Sequence, residues 1–141
     1  MQAFTELIEQ VRATFFELRR ISETLLGDVD CTGAERSLLV ELDKLGPRTV
    51  PQLARARAIS RQAMQRAVDR VLERGWARAV ANPEHERSSL IELAPAGAKL
   101  LETIHEREAA LLAKTKLPMS QAAMKHTAAE LAALAAALRR V

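Results

Sequence analysis

Two short helices with their own start and stop signals lie next to each other in the middle of the chain, and this pairing constrains the fold most. The Thr49–Gln52 capping box predicts the start of the first helix, over residues 50–57. After the brief link 58–59, Ser60 is a favourable N-cap for a second helix, which Gly75 is placed to end. Two short helices joined by so tight a link form a helix-turn-helix unit.

The segments on either side predict further helices and one hairpin. Apolar side chains three and four residues apart indicate a long helix at each end of the chain, and Thr32 with Glu35 forms another capping box. Two short strand-like runs flank the turn formers Asn82-Pro83. We therefore expect a mainly α fold with a small β-hairpin (α+β), as a single domain over residues 1–141. The predicted elements are helices at 4–26, 33–45, 95–113 and 120–138 and strands at 76–80 and 89–93.

The two terminal regions carry more apolar surface than a small domain can cover by itself. Once residues 32–95 close as a helix-turn-helix and hairpin region, apolar stripes remain on the helices of residues 1–31 and 96–141. Such stripes indicate a partner, and a second copy related by two-fold symmetry is the commonest one. We expect a homodimer in which these terminal regions form the dimerisation region.

The cysteine count and the apolar runs restrict the cellular compartment in which the protein is expected. The single cysteine, Cys31, excludes an intrachain disulfide, and the N-terminus lacks the basic start and apolar run of an export signal. The longest apolar run, residues 131–138, is mostly alanine and is far shorter than the roughly 20 residues that a membrane-spanning helix needs. We expect a cytoplasmic protein without a membrane segment.

The residue pattern gives little support to an enzyme. No nucleophile stands at a useful spacing from a base, no glycine-rich loop could cradle a phosphate, and the three histidines are scattered along the chain. Cys31 has aspartates as neighbours instead of the cations that lower a thiol pKa, so we interpret it as structural or incidental. We expect no catalytic residues, no metal and no cofactor. Trp76, Phe15 and Phe16 could line a pocket for a small molecule, but core packing is the favoured role.

Charge is unevenly distributed along the chain. Residues 46–89 contain nine arginines, no lysine and four acidic residues, whereas the remainder contains twelve basic and fourteen acidic residues. Arginine recognises phosphate oxygens and guanine edges through paired hydrogen bonds. The segregation is typical of a surface that binds nucleic acid, and a solvated, arginine-rich surface is the alternative.

The second helix of the helix-turn-helix unit has two chemically different faces. Two rows of apolar side chains are predicted to face inward: Ala63, Ala67 and Val71, and Met64, Val68 and Leu72. The opposite face carries Arg61, Gln62, Gln65, Arg66, Asp69, Arg70 and Glu73. Residues near the N-terminus of such a helix touch base edges, and arginine and glutamine match guanine and adenine. An ordinary amphipathic surface helix is the alternative.

The order of these elements and two stretches of sequence resemble the multiple-antibiotic-resistance regulator (MarR) family over essentially the whole chain. Residues 46–54 and 59–76 are similar to the family's "gp-tv-eLA" helix and its "vSrq-v-r-vd-Le-rGl" recognition helix. Residues 82–87 and 90–97 stand where the family usually reads "np-D-R" and then "v-LT--G". The resemblance implies a winged helix-turn-helix fold, the hairpin being the wing. It also implies a dimeric regulator whose operator affinity responds to a small aromatic or phenolic acid.

This chain departs from the family pattern at two positions. His85 stands where the wing usually has an aspartate that steadies its arginine, although Arg87 still matches the arginine that reaches the minor groove. As a cation His85 would be favoured near phosphates, and a solvated histidine without effect is the alternative. Ala94 stands where a threonine normally caps the next helix, which should cost that helix about 1 kcal/mol.

These features together predict a sequence-specific DNA-binding transcription regulator. We favour a repressor that acts as a homodimer on a pseudo-palindromic operator in double-stranded DNA and is released by the small effector. The alternative is a winged-helix architectural or protein-interaction module without operator specificity. We expect Gln62, Gln65 and Arg66 to read bases, and Arg55, Arg57 and Arg70 to weaken binding to all sequences alike when they are removed. The residues predicted to contact DNA are Ser60, Arg61, Gln62, Gln65, Arg66, Arg70, Arg55, Arg57, Arg87 and His85.

Overall fold

The computed structural model describes residues 1–57 and 59–140, and this part of the chain contains helices and one two-stranded hairpin. The prediction of a mainly α fold with a small hairpin is confirmed, and every predicted element is present with ends within about two residues of those expected. The predicted link 58–59 lies partly outside the described residues. The elements are α1 (Gln2–Leu25), α2 (Gly33–Leu45), α3 (Val50–Arg57), α4 (Arg61–Glu73), β1 (Ala77–Val80), β2 (Leu90–Leu93), α5 (Pro95–Lys114) and α6 (Gln121–Leu138).

Side-chain caps set the starts of the helices that surround the core. At α2, the Thr32 hydroxyl accepts a hydrogen bond from the backbone nitrogen of Glu35 at 3.2 Å, and the Glu35 carboxylate accepts one from the nitrogen of Thr32 at 3.0 Å. Thr49 and Gln52 make the same reciprocal pair at the start of α3, at 2.9 and 3.4 Å. Both predicted capping boxes are therefore confirmed, and each satisfies donors that a helix start leaves unpaired.

The end of α4 directs the chain into the hairpin. Gly75 has a φ of 69°, a left-handed conformation that glycine adopts without steric cost. Its nitrogen donates to the carbonyl of Leu72 at 3.0 Å, and the nitrogen of Trp76 donates to that of Val71 at 2.9 Å. These two bonds close the last turn of α4 and start the hairpin strand at a fixed angle.

β1 and β2 form an antiparallel pair, with Ala77 opposite Leu93 and Val80 opposite Leu90. Arg48 adds an isolated bridge on the other side of β2, exchanging backbone hydrogen bonds with Ile91 at 2.8 and 3.0 Å. The hairpin is therefore held to the segment between α2 and α3 and has a fixed position relative to the helix-turn-helix unit.

One apolar core joins α2, α3, α4, the hairpin and the start of α5. Its buried members are Leu38, Leu39, Leu42, Leu53, Ala54, Met64, Val68, Val71, Ala77, Ile91 and Leu101. Five of the six α4 residues predicted to face inward are buried or half-buried, but the prediction was wrong for Ala63, which is exposed. Ala63 lies at the edge of the buried face of α4: its row is buried at Val71, half-buried at Ala67 and exposed at Ala63, whereas Met64 in the same turn is buried.

Contacts divide the chain into two compact units, Met1–Arg107 and Glu108–Val141. In the first unit, none of the described α1 residues is buried, and Phe15 and Phe16 are 60% and 62% exposed. The expected core packing was therefore wrong for these two phenylalanines within one protomer, whereas Trp76 does pack against the core. Among the described residues, no helix combines the length and the apolar content needed to cross a membrane.

Candidate nucleic-acid interface

The first turns of α4 present polar side chains to solvent. α4 begins at Arg61 because the Ser60 hydroxyl accepts a hydrogen bond from the backbone nitrogen of Ala63 at 3.1 Å. Arg61, Gln62 and Arg66 are exposed, and within the described ranges their side chains have no hydrogen bond or ion pair. The helix N-terminus adds partial positive charge at the same place. These side chains are therefore available to a negatively charged ligand.

Gln65 is held by its neighbour one turn later on α4. Its side-chain nitrogen donates to a carboxylate oxygen of Asp69 at 2.7 Å. Because an ionised carboxylate only accepts hydrogen bonds, this contact fixes which end of the amide points towards Asp69. The amide oxygen and the second N–H of Gln65 are left for a ligand, and these two groups match the edge of adenine in the major groove.

A cavity of about 590 Å³ lies between α4 and the hairpin. It brings together residues that the sequence analysis assigned to different elements. Arg61, Gln62 and Gln65 line one side, and Arg87 lines the other, while Val50 and Pro51 of α3 contribute apolar surface. Two of the base-reading candidates and the wing arginine are therefore next to the same open space.

The hairpin turn has its own hydrogen bonds. The Asn82 side chain accepts from the nitrogen of Glu84 at 3.0 Å, and its carbonyl accepts from His85 at 3.2 Å. The carbonyl of His85 in turn accepts from Ser88 at 3.2 Å. The side chains of His85 and Arg87 are exposed and have no hydrogen bond or ion pair in the described chain. The turn is therefore shaped by the Asn82 side chain and by backbone hydrogen bonds, even though the wing aspartate of the family pattern is absent.

The arginines predicted to hold phosphates have different surroundings. Arg55 on α3 is exposed and without a described side-chain partner. A guanidinium nitrogen of Arg57 lies 3.8 Å from a carboxylate oxygen of the half-buried Glu41 on α2, a loose ion pair. On α4, the guanidinium of Arg70 forms an ion pair with the buried carboxylate of Glu35. Their predicted contacts with DNA stay predictions.

Several charged contacts around this face were not predicted from the sequence. Arg74 at the end of α4 pairs with Asp30 at 2.5 Å and lies 4.9 Å above the centre of the Trp76 ring. Arg78 pairs with Glu92 on the adjacent strand. The hairpin register could have indicated the second pair, because cross-strand neighbours of opposite charge attract each other. The first pair joins residues 44 positions apart and has no local signal.

The loop between α1 and α2 contains the single cysteine and a second long-range ion pair. Arg107 on α5 pairs with Asp28 at 2.6 Å and also donates to the carbonyl of Leu25 at 2.8 Å. The hydrogen bond from Arg107 lowers the pKa of Asp28. Burial, followed by the nearby Glu35 carboxylate, raises the pKa of Cys31 to about 11. In the described part of the chain, no group of three or more His, Cys, Asp or Glu side chains could hold a metal ion.

Known proteins match both the sequence and the fold. A MarR family model matches residues 30–88. The multiple antibiotic resistance protein MarR of Salmonella typhimurium is 30% identical over 88 residues, which are 62% of this chain and 61% of that protein. The chain thus spans about three fifths of the length of this curated relative.

Two solved structures extend the likeness to nearly the full chain. A MarR family transcription regulator is 28% identical with a TM-score of 0.73, covering 97% of this chain and 93% of its own. Staphylococcus aureus MarR, solved in complex with salicylate and kanamycin, is 19% identical with a TM-score of 0.79, covering 99% and 95%. The first of these structures is that of a transcription regulator, in agreement with the prediction that the chain is not an enzyme. The family model, the curated relative and the matching winged-helix architecture place this chain in the MarR family of transcription regulators.

Proposed function

We propose that this chain is a sequence-specific DNA-binding repressor that acts as a homodimer on a pseudo-palindromic operator. Residues 32–95 are its DNA-binding region, and the helices of residues 1–31 and 96–141 form its dimerisation region. A cytoplasmic location follows from the need to reach the operator.

One observation carries the proposal. Arg61, Gln62 and Gln65 of α4 and Arg87 of the hairpin face one cavity, on the exposed side of the core that fixes both elements. In a winged helix-turn-helix protein, the N-terminal residues of the second helix enter the major groove. Arg87 is then positioned for the adjacent minor groove, where narrow A·T-rich segments attract arginine.

The contacts divide into two groups by chemistry. Gln62, Gln65 and Arg66 lie near the start of α4 and are assigned to base edges, and Asp69 orients Gln65 for adenine. The residues assigned to the phosphate backbone are Ser60, Arg55, Arg57 and His85. Phosphate contacts carry no sequence information, so the two groups are distinguishable by experiment.

The effector and the dimer complete the proposal. Salicylate, which is present in the Staphylococcus aureus structure, is an aromatic and phenolic acid, and we propose an effector of this class for the present chain. The exposed apolar stripe of α1 supports a two-fold dimer, since such a surface is costly to leave in water. A two-fold dimer would place its α4 helices at half-sites about 34 to 36 Å apart.

Binding to selected DNA tests the proposed function. The wild-type protein would be used to select duplexes of about 30 base pairs from a random library, long enough for two half-sites. Affinity for the selected duplex and for a scrambled one is then measured at several salt concentrations. Gln65→Ala should cost about 1 to 3 kcal/mol on the selected duplex only, and Arg55→Ala should weaken both duplexes alike. Glu73→Ala, an exposed change at the far end of α4, is the matched control.

Equal affinity of the wild-type protein for selected and scrambled duplexes would contradict the proposal. That result would favour the architectural or protein-interaction module instead. Equal loss of sequence preference in Gln65→Ala and Arg55→Ala would mean that α4 is wrongly assigned to the major groove.

A further inference from the structure

Glu35 is an acidic side chain that is buried in the fold. Its side chain is 1% exposed, although it lies in the first turn of α2. One carboxylate oxygen accepts the hydrogen bond from the Thr32 nitrogen that completes the capping box. The other, Oε1, accepts no well-aligned hydrogen bond in the described chain and forms the ion pair with Arg70. The positive charge of Arg70 is therefore what compensates the burial of Oε1.

Arg70 lies on the exposed face of α4, but it is not equivalent to the arginines near the helix start. It is in the last turn, about 13 Å along the helix axis from Arg61. Its side chain is 49% exposed, and its Nε atom faces the Glu35 carboxylate. A guanidinium that moved from this position to a DNA phosphate would leave a carboxylate buried without its counter-charge. Arg66, one turn earlier, is exposed, and its side chain has no ion pair or hydrogen bond among the described residues.

We infer that Arg70 is a positioning residue and does not contact phosphate. Through Glu35 it ties the last turn of α4 to the first turn of α2, and so sets the angle at which the start of α4 meets DNA. The inference rests on the proposed function, and it replaces the phosphate contact that the sequence pattern suggests for Arg70.

The salt dependence of DNA binding distinguishes a positioning role for Arg70 from a phosphate contact. Each phosphate contact releases condensed counterions, and affinity therefore falls as salt concentration rises. Loss of one contact makes the slope of log affinity against log salt concentration less steep by about one. A positioning residue changes affinity and leaves that slope unchanged. Four variants are compared with the wild-type protein on the selected duplex: Arg70→Ala, Glu35→Gln, the double variant Glu35→Gln/Arg70→Ala, and Arg55→Ala as the control for the loss of a phosphate contact.

We expect Arg70→Ala and Glu35→Gln each to weaken binding about tenfold, and the double variant to be no weaker than either one. All three should keep the wild-type salt slope, whereas Arg55→Ala should make it less steep, because Arg55 is assigned to phosphate. Glutamine can still accept the hydrogen bond from the Thr32 nitrogen, so Glu35→Gln keeps the capping box and removes the charge that pairs with Arg70. The double variant leaves no unpaired buried charge, so its slope tests the idea even if Arg70→Ala alone folds poorly.

Two results would overturn the inference about Arg70 and leave the proposed function intact. One is a slope less steep by about one in the double variant, which would show that Arg70 contacts a phosphate. The other is unchanged or tighter binding by Glu35→Gln, because a phosphate-binding Arg70 would be freed by the loss of its buried partner. A wild-type protein without preference for its selected duplex would instead overturn the proposed function, and the inference with it.

Discussion

The environment of Cys31 in the fold differs from its sequence neighbourhood. The adjacent aspartates indicate a thiol without cations nearby, yet Arg36 and Arg74 are close enough to lower its pKa. Burial and the Glu35 carboxylate outweigh them, and the pKa rises from an ordinary value of about 9 to about 11. A thiol with so high a pKa is almost fully protonated at neutral pH and is a poor nucleophile.

Alkylation should therefore be slow in the native protein. At pH 8 the reaction of Cys31 with iodoacetamide should be about a hundredfold slower than in the same chain unfolded in guanidinium chloride, because the thiolate is about a hundredfold rarer. The unfolded chain loses its proton first as pH rises, so the free energy of unfolding should fall between about pH 9 and 11. Because Cys31 is the single cysteine, mass spectrometry measures one site. Similar native and unfolded rates would mean that Cys31 is a reactive thiol.

Residues could be predicted from the sequence where their contacts are local. The capping boxes at Thr32 and Thr49 join residues three positions apart, and the sequence spacing alone identifies them. Glu35 was recognised only as half of such a box, because its second partner, Arg70, comes from another helix. The Asp28–Arg107 pair, 79 positions apart, is likewise outside the reach of local patterns. The long-range charge pairs therefore required the structure.

At the scale of elements, α5 and the hairpin approach each other at a glycine. A Cβ atom at Gly97 would lie 2.0 Å from the carbonyl oxygen of Trp76 and 2.8 Å from a methyl carbon of Leu93. The Trp76 oxygen also accepts a hydrogen bond from the Ala94 nitrogen at 3.0 Å, which limits how far it can move away. The close packing of the start of α5 on the hairpin thus depends on the absence of a side chain at position 97.

Gly97→Ala should destabilise the protein by about 1 to 3 kcal/mol, because the added methyl group forces backbone to shift. Gly33→Ala is the matched control, since a Cβ at Gly33 meets nothing within 4 Å. That control should be neutral or stabilising by up to about 1 kcal/mol, because alanine restricts the unfolded chain. Urea denaturation measures both. Equal midpoints for the two variants would mean that α5 can move off the hairpin without cost.

The helices and strands were predicted well because their apolar periodicity and capping residues are clear in the sequence. The remaining errors concern which side chains are buried by neighbouring elements. The apolar rows on α4 correctly predicted buried Met64, Val68 and Val71. They failed at Ala63, because successive members of an i, i+4 row are rotated by about 40° around the helix axis. This row is buried at Val71, half-buried at Ala67 and exposed at Ala63. The width of the covered face depends on the neighbouring elements, and the periodicity of a single helix does not give it.

At the scale of the whole molecule, charge and apolar surface are separated along the chain. The excess of arginine falls between residues 46 and 89, around the proposed DNA contacts. The exposed apolar side chains of the first unit are concentrated on α1, and those of α6 include Leu131 and Leu138. The sequence predicted both surfaces, but a periodic stripe does not reveal whether a helix packs within its own chain or on a second copy. Phe15 and Phe16 illustrate this limit.

A charge placed on the α1 stripe tests the dimer without disturbing the core of the protomer. Val11 is 37% exposed and belongs to the apolar stripe, whereas Ala13, also exposed, lies on the opposite face of the helix. Val11→Glu should shift the protein towards the monomer in light scattering at micromolar concentration, because a carboxylate would be buried in the interface. Ala13→Glu should stay dimeric. Val11→Glu should also lose affinity for a duplex with two half-sites and bind a single half-site almost as well as the wild-type protein does. A Val11→Glu dimer as stable as that of Ala13→Glu would place the subunit interface away from this stripe.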